Sequence, residues 1–267
     1  MLVREITDFL ARKAPYHMKM DDEHWRDNVG LLVGVEESPV TRVLIALDIT
    51  DQVIDEAADL GAELIVSHHP LFFSCKRVVD TDSSGRKIIN LLRSGISAIC
   101  MHTNLDVVEG GVNTALAETL GLMEPVVMER HGADEAGLAY GLGRIGRIRE
   151  PVDFPAFLTH VKRALHANGL RYHDAGRAVE VVAVSGGSDG SNLQMLLAAG
   201  CDTLVTADIK YNKFLEAKEL GLNLIDAGHF ATENVVCPVM KAWLEAEYPE
   251  LAVSLSVRHE QTDQFYS

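Results

Sequence analysis

Short apolar runs alternate with helix-patterned stretches along nearly the whole chain, and this order restricts the possible fold more than any other feature. "RVLIALDIT" (42–50) reads as a buried strand. Asp51 can cap the helix that follows, "QVIDEAADLG", which closes at Gly61. Strand 63–68, helix 86–94, strand 96–102 and helix 112–120 continue the series, after an amphipathic helix at 2–12 and a turn into a short strand in "DNVGLLVG" (27–34). A second series runs through helix 153–167, strand 178–185, a Gly/Ser turn "VSGGSDGSN" (184–192) into helix 192–199, strand 203–207, helix 211–220, strand 222–226, a long helix 232–247 and a last strand 252–259. Strands alternating with helices predict α/β layers and a largely parallel sheet. Between the two series, 123–150 is rich in glycine and charge and reads as a linker followed by an irregular strand.

A faint internal repeat supports two halves. "DLGAELIVSHH" (59–69) aligns with "AAGCDTLVTAD" (198–208), and "SGISAICMH" (94–102) with "LGLNLIDAGH" (220–229). Two related α/β domains are expected, the first at 1–124 together with 229–267 and the second at 125–228. A site between such halves would draw residues from both.

Charge narrows the function. The net charge of -15 opposes broad nucleic-acid binding, which relies on Lys and Arg neutralising phosphates. Four cysteines are scattered without a CxxC pair, as in a reducing compartment. "MLVREITDFLARKAP" has no apolar signal core and no apolar run reaches membrane-spanning length, so the expected compartment is the cytoplasm.

The strand ends carry the chemistry. "LIVSHHPLFF" (64–73) leaves its apolar run at Ser67 with two adjacent histidines, His68 and His69. "HTNLD" supplies His102, Asn104 and Asp106, "TAD" supplies Asp208, and "GHFATE" supplies His229 and Glu233. In open α/β sheets, ligands gather outside the carboxyl ends of the strands. Imidazole and carboxylate without thiolate suit zinc, manganese or iron. Adjacent side chains on an extended backbone point to opposite faces, so His68 and His69 are expected to diverge and to serve two metals, bridged by Asp106 or Glu233. Thr232 is a plausible N-cap that would put Glu233 in a first helical turn. Each residue also has a plainer role: Asp106 could cap the turn before "GGVN", Glu233 could answer a helix dipole, and His102 could orient a ligand. His131, His160, His166, His173 and His259 are read as surface or loop residues.

"DNVGLLVG", "SHHPLFF", "HTNLD" and "GHFATE", in this order over nearly the whole chain, resemble the NIF-three-like dinuclear-metal proteins, commonly named GTP cyclohydrolase 1 type 2 homologs. The resemblance implies two interlocked, related α/β domains, a metal site in the cleft between them, and a ring-shaped homohexamer. It implies two divalent ions (Zn, Fe or Mn) held by His68, His69, Asp106, His229 and Glu233. It also implies a hydrolase in which activated water opens the guanine imidazole ring of GTP or a related heterocycle, with Glu233 orienting or deprotonating that water. Lys76, Arg77, Lys210 and Lys213 could meet the phosphates of such a small-molecule substrate. The rival readings are a two-metal phosphoester or amide hydrolase and a non-catalytic metal-binding scaffold. Two departures from relatives stand out. The stretch between Leu122 and Val179 is too short for the large domain some of them insert, and "IKYNK" follows "TAD" where they often carry a histidine.

Overall fold

A computed structural model describes residues 1–21, 26–134, 136–188 and 191–265. Glu135, Asp189 and Gly190, which fall in two of the glycine-rich stretches above, lie outside the described residues. The chain divides into two compact units, Met1–Leu105 with Val236–Glu260, and Asp106–Val235 with Gln261–Ser267. The mixed α/β class expected from the alternation holds, with one sheet in each unit.

In the first unit the described strands form a five-stranded sheet, ordered Gly30–Val33, Ser97–Cys100, Leu64–Ser67, Arg42–Ala46 and Ala252–Leu255. Only Gly30–Val33 is antiparallel to its neighbour; the other pairs are parallel, with Ile45 opposite Val66 and Val66 opposite Ile99. Every residue of Leu64–Ser67 and Ser97–Cys100 is buried, which is why both read as unbroken apolar runs. Leu44, Ile65 and Ala98 pack with Val53, Ile54, Ala57, Ile88 and Leu91 from the helices Asp51–Leu60 and Ser83–Arg93. The first of these helices is capped by Thr50, whose side chain accepts the Val53 N–H; Asp51 is instead its first residue and faces Arg86. It ends at Gly61 in the left-handed region, as expected.

Parallel pairing sends the carboxyl ends of four strands the same way. Asp48 follows one, His68 and His69 another, and His102 a third. The fourth, Ala252–Leu255, leads to His259. Glu56 is 4% exposed and accepts the Ser256 hydroxyl and the N–H groups of Val257 and Arg258, turning the chain so that His259 Nδ1 accepts the Leu47 N–H at 3.0 Å. His259 lies in a loop, as expected, but is a fixed, half-buried group, because a contact 212 residues away in sequence holds it.

Burial holds this imidazole below its ordinary value, against the opposing pull of Asp48 and Glu56. The unfolded chain protonates His259 near pH ~6.5, and the folded chain only at lower pH. Its contribution to stability is therefore full above that pH and is lost as pH falls through the folded value. A His259→Gln variant keeps an acceptor for Leu47 but does not titrate. Urea melts at about pH 7 and about pH 5 should show wild type losing stability relative to the variant on acidification. A constant difference would contradict the assignment.

In the second unit the described strands form a six-stranded sheet, ordered Met123–Ala133, Ala139–Val152, Val179–Ser188, Thr203–Ala207, Asn223–Asp226 and Arg171–His173. The central pairs are parallel and the outer ones antiparallel. The stretch 123–150 is thus a long hairpin: the irregular strand expected there is its second strand, and the expected linker is its first. Its first strand is largely solvent-facing, so no apolar run marked it. Gly141 allows the close crossing, since a Cβ there would lie 1.9 Å from the Glu129 carbonyl oxygen. The hairpin also carries Arg144, fully buried, which donates to the carbonyls of Gly141, Gly143 and Val108 at 2.9–3.0 Å. Leu116, Phe157, Val161, Val182, Val205 and Ile225 form the core against the helices Val112–Thr119 and Phe154–Ala164.

Two further expectations are corrected. "VSGGS", placed in a turn, continues the strand to Ser188 with a shift of register. The helix expected at 232–247 is two helices, His229–Glu233 and Val236–Glu247. Gly228 is the N-cap of the first, at φ 87°, and Thr232 lies inside it. No described helix is long and apolar enough to cross a membrane.

Candidate metal centre

Three imidazoles meet in the first unit. The chain bends at His68 and His69 as soon as the strand ends, so the alternation of an extended backbone no longer applies. The two rings lie side by side, with centroids 4.9 Å apart, rather than diverging as expected. Ser67 supports the bend by donating its hydroxyl to the His69 carbonyl at 2.8 Å. His102 joins them from the neighbouring strand, its ring 5.4 Å from His68 and 5.8 Å from His69. One ring nitrogen of each histidine lies within 4.8 Å of the others.

Each ring is oriented by the same device. His68 Nδ1 meets the Met101 carbonyl at 2.8 Å, His69 Nδ1 meets Asp48 Oδ1 at 2.7 Å, and His102 Nδ1 meets Asp27 Oδ1 at 2.7 Å. A carbonyl and an ionised carboxylate only accept, so Nδ1 carries the proton in each neutral ring. The lone pair is then on Nε2, the arrangement that suits imidazole to metal. Burial acts to raise the Asp27 carboxyl, but hydrogen bonds from His102, Thr103 and Asn28 outweigh it and hold the group below its usual range.

Asp27 and Asn28 give "DNVGLLVG" a physical role. Asp27 accepts from His102 and from Thr103 N–H, while Asn28 Nδ2 donates to the Phe72 carbonyl at 2.8 Å. One dipeptide thus braces both "HTNLD" and "SHHPLFF". Sequence reasoning singled out the motif but missed the role of Asp27, which follows no strand. Asp48 was legible in principle, because it follows the strand Arg42–Ala46 directly.

The second unit, described by itself, holds Asp106, His229 and Glu233. His229 Nδ1 meets Asp208 Oδ2 at 2.8 Å, and its Nε2 lies 3.0 Å from Glu233 Oε2. Asp208 sits at φ 55°, a left-handed conformation that aspartate tolerates better than most residues. It acts as the orienting carboxylate for His229, the same part that Asp27 and Asp48 play for their histidines. Glu233 is 5% exposed, and a carboxylate oxygen of Asp106 lies within 4.8 Å of one of its own. Two carboxylates so close repel when both are ionised, unless a cation or a proton lies between them.

The strand residues Gly186 and Gly187 form the wall behind Glu233. A Cβ on Gly187 would fall 2.1 Å from Glu233 Oε1. Gly187 N–H donates to Thr232 Oγ1 at 3.0 Å, which ties the strand to the short helix. Within each unit the donors are nitrogen and oxygen, three imidazoles in the first and an imidazole with two carboxylates in the second, types that fit divalent transition metals. Of the lysines and arginines considered for phosphate, Lys76 and Arg77 lie on an exposed loop, and Lys213 is paired with Glu216 at 3.0 Å.

Comparison with known proteins is consistent throughout. A family model described as Duf34/NIF3 (NGG1p interacting factor 3) matches residues 1–264. A protein of Clostridium perfringens named GTP cyclohydrolase 1 type 2 homolog is 35% identical over 235 residues, covering 87% of each chain. One of the same name from Clostridium acetobutylicum is 30% identical and covers 96% of this chain and 94% of its own. The crystal structure of a Bacillus cereus protein related to NIF3 superposes with a TM-score of 0.90 at 26% identity, over 100% of this chain and 99% of that one.

Proposed function

The chain belongs to the Duf34/NIF3 family, and from that premise we propose that it is a metal-dependent hydrolase acting on a nucleotide or a related nitrogen heterocycle. The observation that carries this reading is the adjacent pair His68 and His69, each held at Nδ1 by a fixed acceptor, the Met101 carbonyl and Asp48, with a ring nitrogen of each within 4.8 Å of the other. His68, His69, Asp106, His229 and Glu233 are the residues that would hold two divalent ions, and such ions would supply Lewis acidity.

The chain's own groups do the rest. Asp48 and Asp208 keep two of these imidazoles in one tautomer and one direction. Glu233 is the proton acceptor for the attacking water, placed in a buried setting against Gly187, where an added Cβ would collide with it. The name shared by the relatives makes the guanine imidazole ring of GTP the first substrate to try.

Elemental analysis of protein purified without a His-tag or chelator is expected to find about two equivalents of Zn, Fe or Mn per chain. Incubation with GTP and each metal is expected to give a ring-opened product by mass spectrometry. Metal without turnover of GTP would retain the centre and discard this substrate. No metal, and no uptake of added metal, would sink the hydrolase reading.

A further inference from the structure

We infer that Asn113 is a positioning residue that sets the spacing of the Asp106 and Glu233 carboxylates through a bulge in the strand beside them; the inference rests on the metal reading of that pair. Every residue in it belongs to the second unit.

The bulge is the starting point. Where Val179–Ser188 pairs with Thr203–Ala207, Val184 stands opposite Val205 and Ser188 opposite Ala207. Ser185, Gly186 and Gly187 therefore span an interval that Thr206 spans alone on the neighbouring strand. Extra residues in a strand bend it and break its ladder locally. Side chains take two of the N–H groups there. Gly186 N–H donates to Asn113 Oδ1 at 2.9 Å, and Gly187 N–H donates to Thr232 Oγ1 at 3.0 Å. Thr232 directly precedes Glu233 in the short helix. Asn113 turns its other end to the second carboxylate's backbone, where Nδ2 donates to the Asp106 carbonyl at 2.9 Å. One side-chain amide thus joins Asp106 to the strand that walls Glu233. The fit is close, since a Cβ on Gly186 would lie 2.7 Å from Val112 Cγ1 and 3.3 Å from Glu233 Cγ.

The ordinary duties of a buried asparagine do not account for this bridge. Asn113 is 1% exposed and is the second residue of the helix Val112–Thr119, but Gly111 is the N-cap of that helix. The loop leading into it is secured by other groups. Arg144 donates to the Val108 carbonyl at 3.0 Å, and the Thr114 hydroxyl accepts the Gly110 N–H at 3.2 Å. What Asn113 adds is a hold on Asp106 itself. A hold is needed there because carboxylates within 4.8 Å push apart when both are ionised. A backbone that yielded to that repulsion would present the pair to a cation at the wrong separation, and small displacements of oriented donors weaken metal binding.

The test uses the full chain stripped of metal and titrated with Co(II), whose visible absorption reports the geometry of its donors. Asn113→Ala is compared with Asn223→Ala. Asn223 is 0% exposed, donates to the Arg177 carbonyl and the Thr203 hydroxyl, and accepts the Ala175 N–H, so it is as thoroughly buried and bonded. None of those bonds reaches Asp106, Gly186 or Gly187. Both variants are expected to lose stability in urea melts of the stripped protein. Asn113→Ala alone is expected to lower Co(II) affinity by ~10–100-fold and to alter the absorption band. If Asn113→Ala does not fold, Asn113→Asp carries the comparison, because it keeps the acceptor for Gly186 and sets a carboxylate oxygen against the Asp106 carbonyl. A folded Asn113 variant with wild-type Co(II) affinity and spectrum would overturn this inference and leave the metal reading standing. Equal losses of affinity in the Asn113 and Asn223 variants, or failure of both Asn113 variants to fold, would overturn it as well, since either makes Asn113 a residue of general stability. If wild type binds no Co(II), both this inference and the reading beneath it fall.

Discussion

Replacing Glu233 with glutamine is expected to cut bound metal from about two equivalents per chain to one or fewer, with affinity for the remainder down by ~100-fold or more. Glutamine keeps the size and one carbonyl oxygen, so the change is chiefly one of charge. Glu233 is 5% exposed, lies 3.0 Å from His229 Nε2, and has a carboxylate oxygen of Asp106 within 4.8 Å. In that setting a single negative charge decides whether a dication is favoured, because little solvent screens it. The neutral side chain also removes repulsion from Asp106, so the variant should fold at least as well as wild type without metal. Elemental analysis after dialysis, paired with a urea melt of the stripped protein, reads both effects. A Glu233→Gln protein that retained two equivalents would show that this carboxylate is no ligand.

Gly187→Ala is expected to have nearly as large an effect on metal while touching no ligand atom by chemistry. Gly187 sits at φ 63°, where an L-residue costs roughly 1–2 kcal/mol. Its new Cβ would lie 2.1 Å from Glu233 Oε1 and 3.2 Å from His229 Cε1. Glu233 must therefore move, and metal affinity should fall by ~10–100-fold. Gly221→Ala provides the control. That residue has φ 67° and nothing within 4 Å of the added carbon, so it carries the backbone cost without the collision. The two variants should lose similar stability to the backbone alone, with the metal defect confined to Gly187→Ala. Equal metal affinity in both would mean that the wall behind Glu233 yields freely.

The parts of the site that were legible in the sequence share a cause. Leu64–Ser67 and Ser97–Cys100 are buried on both faces, so each appears as an apolar run with a polar residue at its end. His68, His69 and His102 were found in that way. In the hairpin from Met123 to Val152 the first strand was missed because it faces solvent along most of its length, and the second read only as an irregular strand because glycines break it. The expected divergence of His68 and His69 assumed that the strand continued through them, whereas it stops at Ser67. Asp27 was out of reach for a different reason. Its partner His102 lies 75 residues away, and nothing local marks an aspartate that will be buried only when that partner arrives.

The strand Ala252–Leu255 closes one edge of the first sheet by pairing with Arg42–Ala46. This has a consequence for synthesis on the ribosome. Glu56 emerges 200 residues before the Ser256 hydroxyl that it binds. Through that interval Arg42–Ala46, four of whose five residues are buried in the finished molecule, offers an unpaired apolar edge. Such an edge is a template for strands of other nascent chains. The second unit is translated almost whole during the same wait. The first sheet is thus begun early and completed late, and the nascent protein is most exposed to misassembly while that edge strand is still unmade.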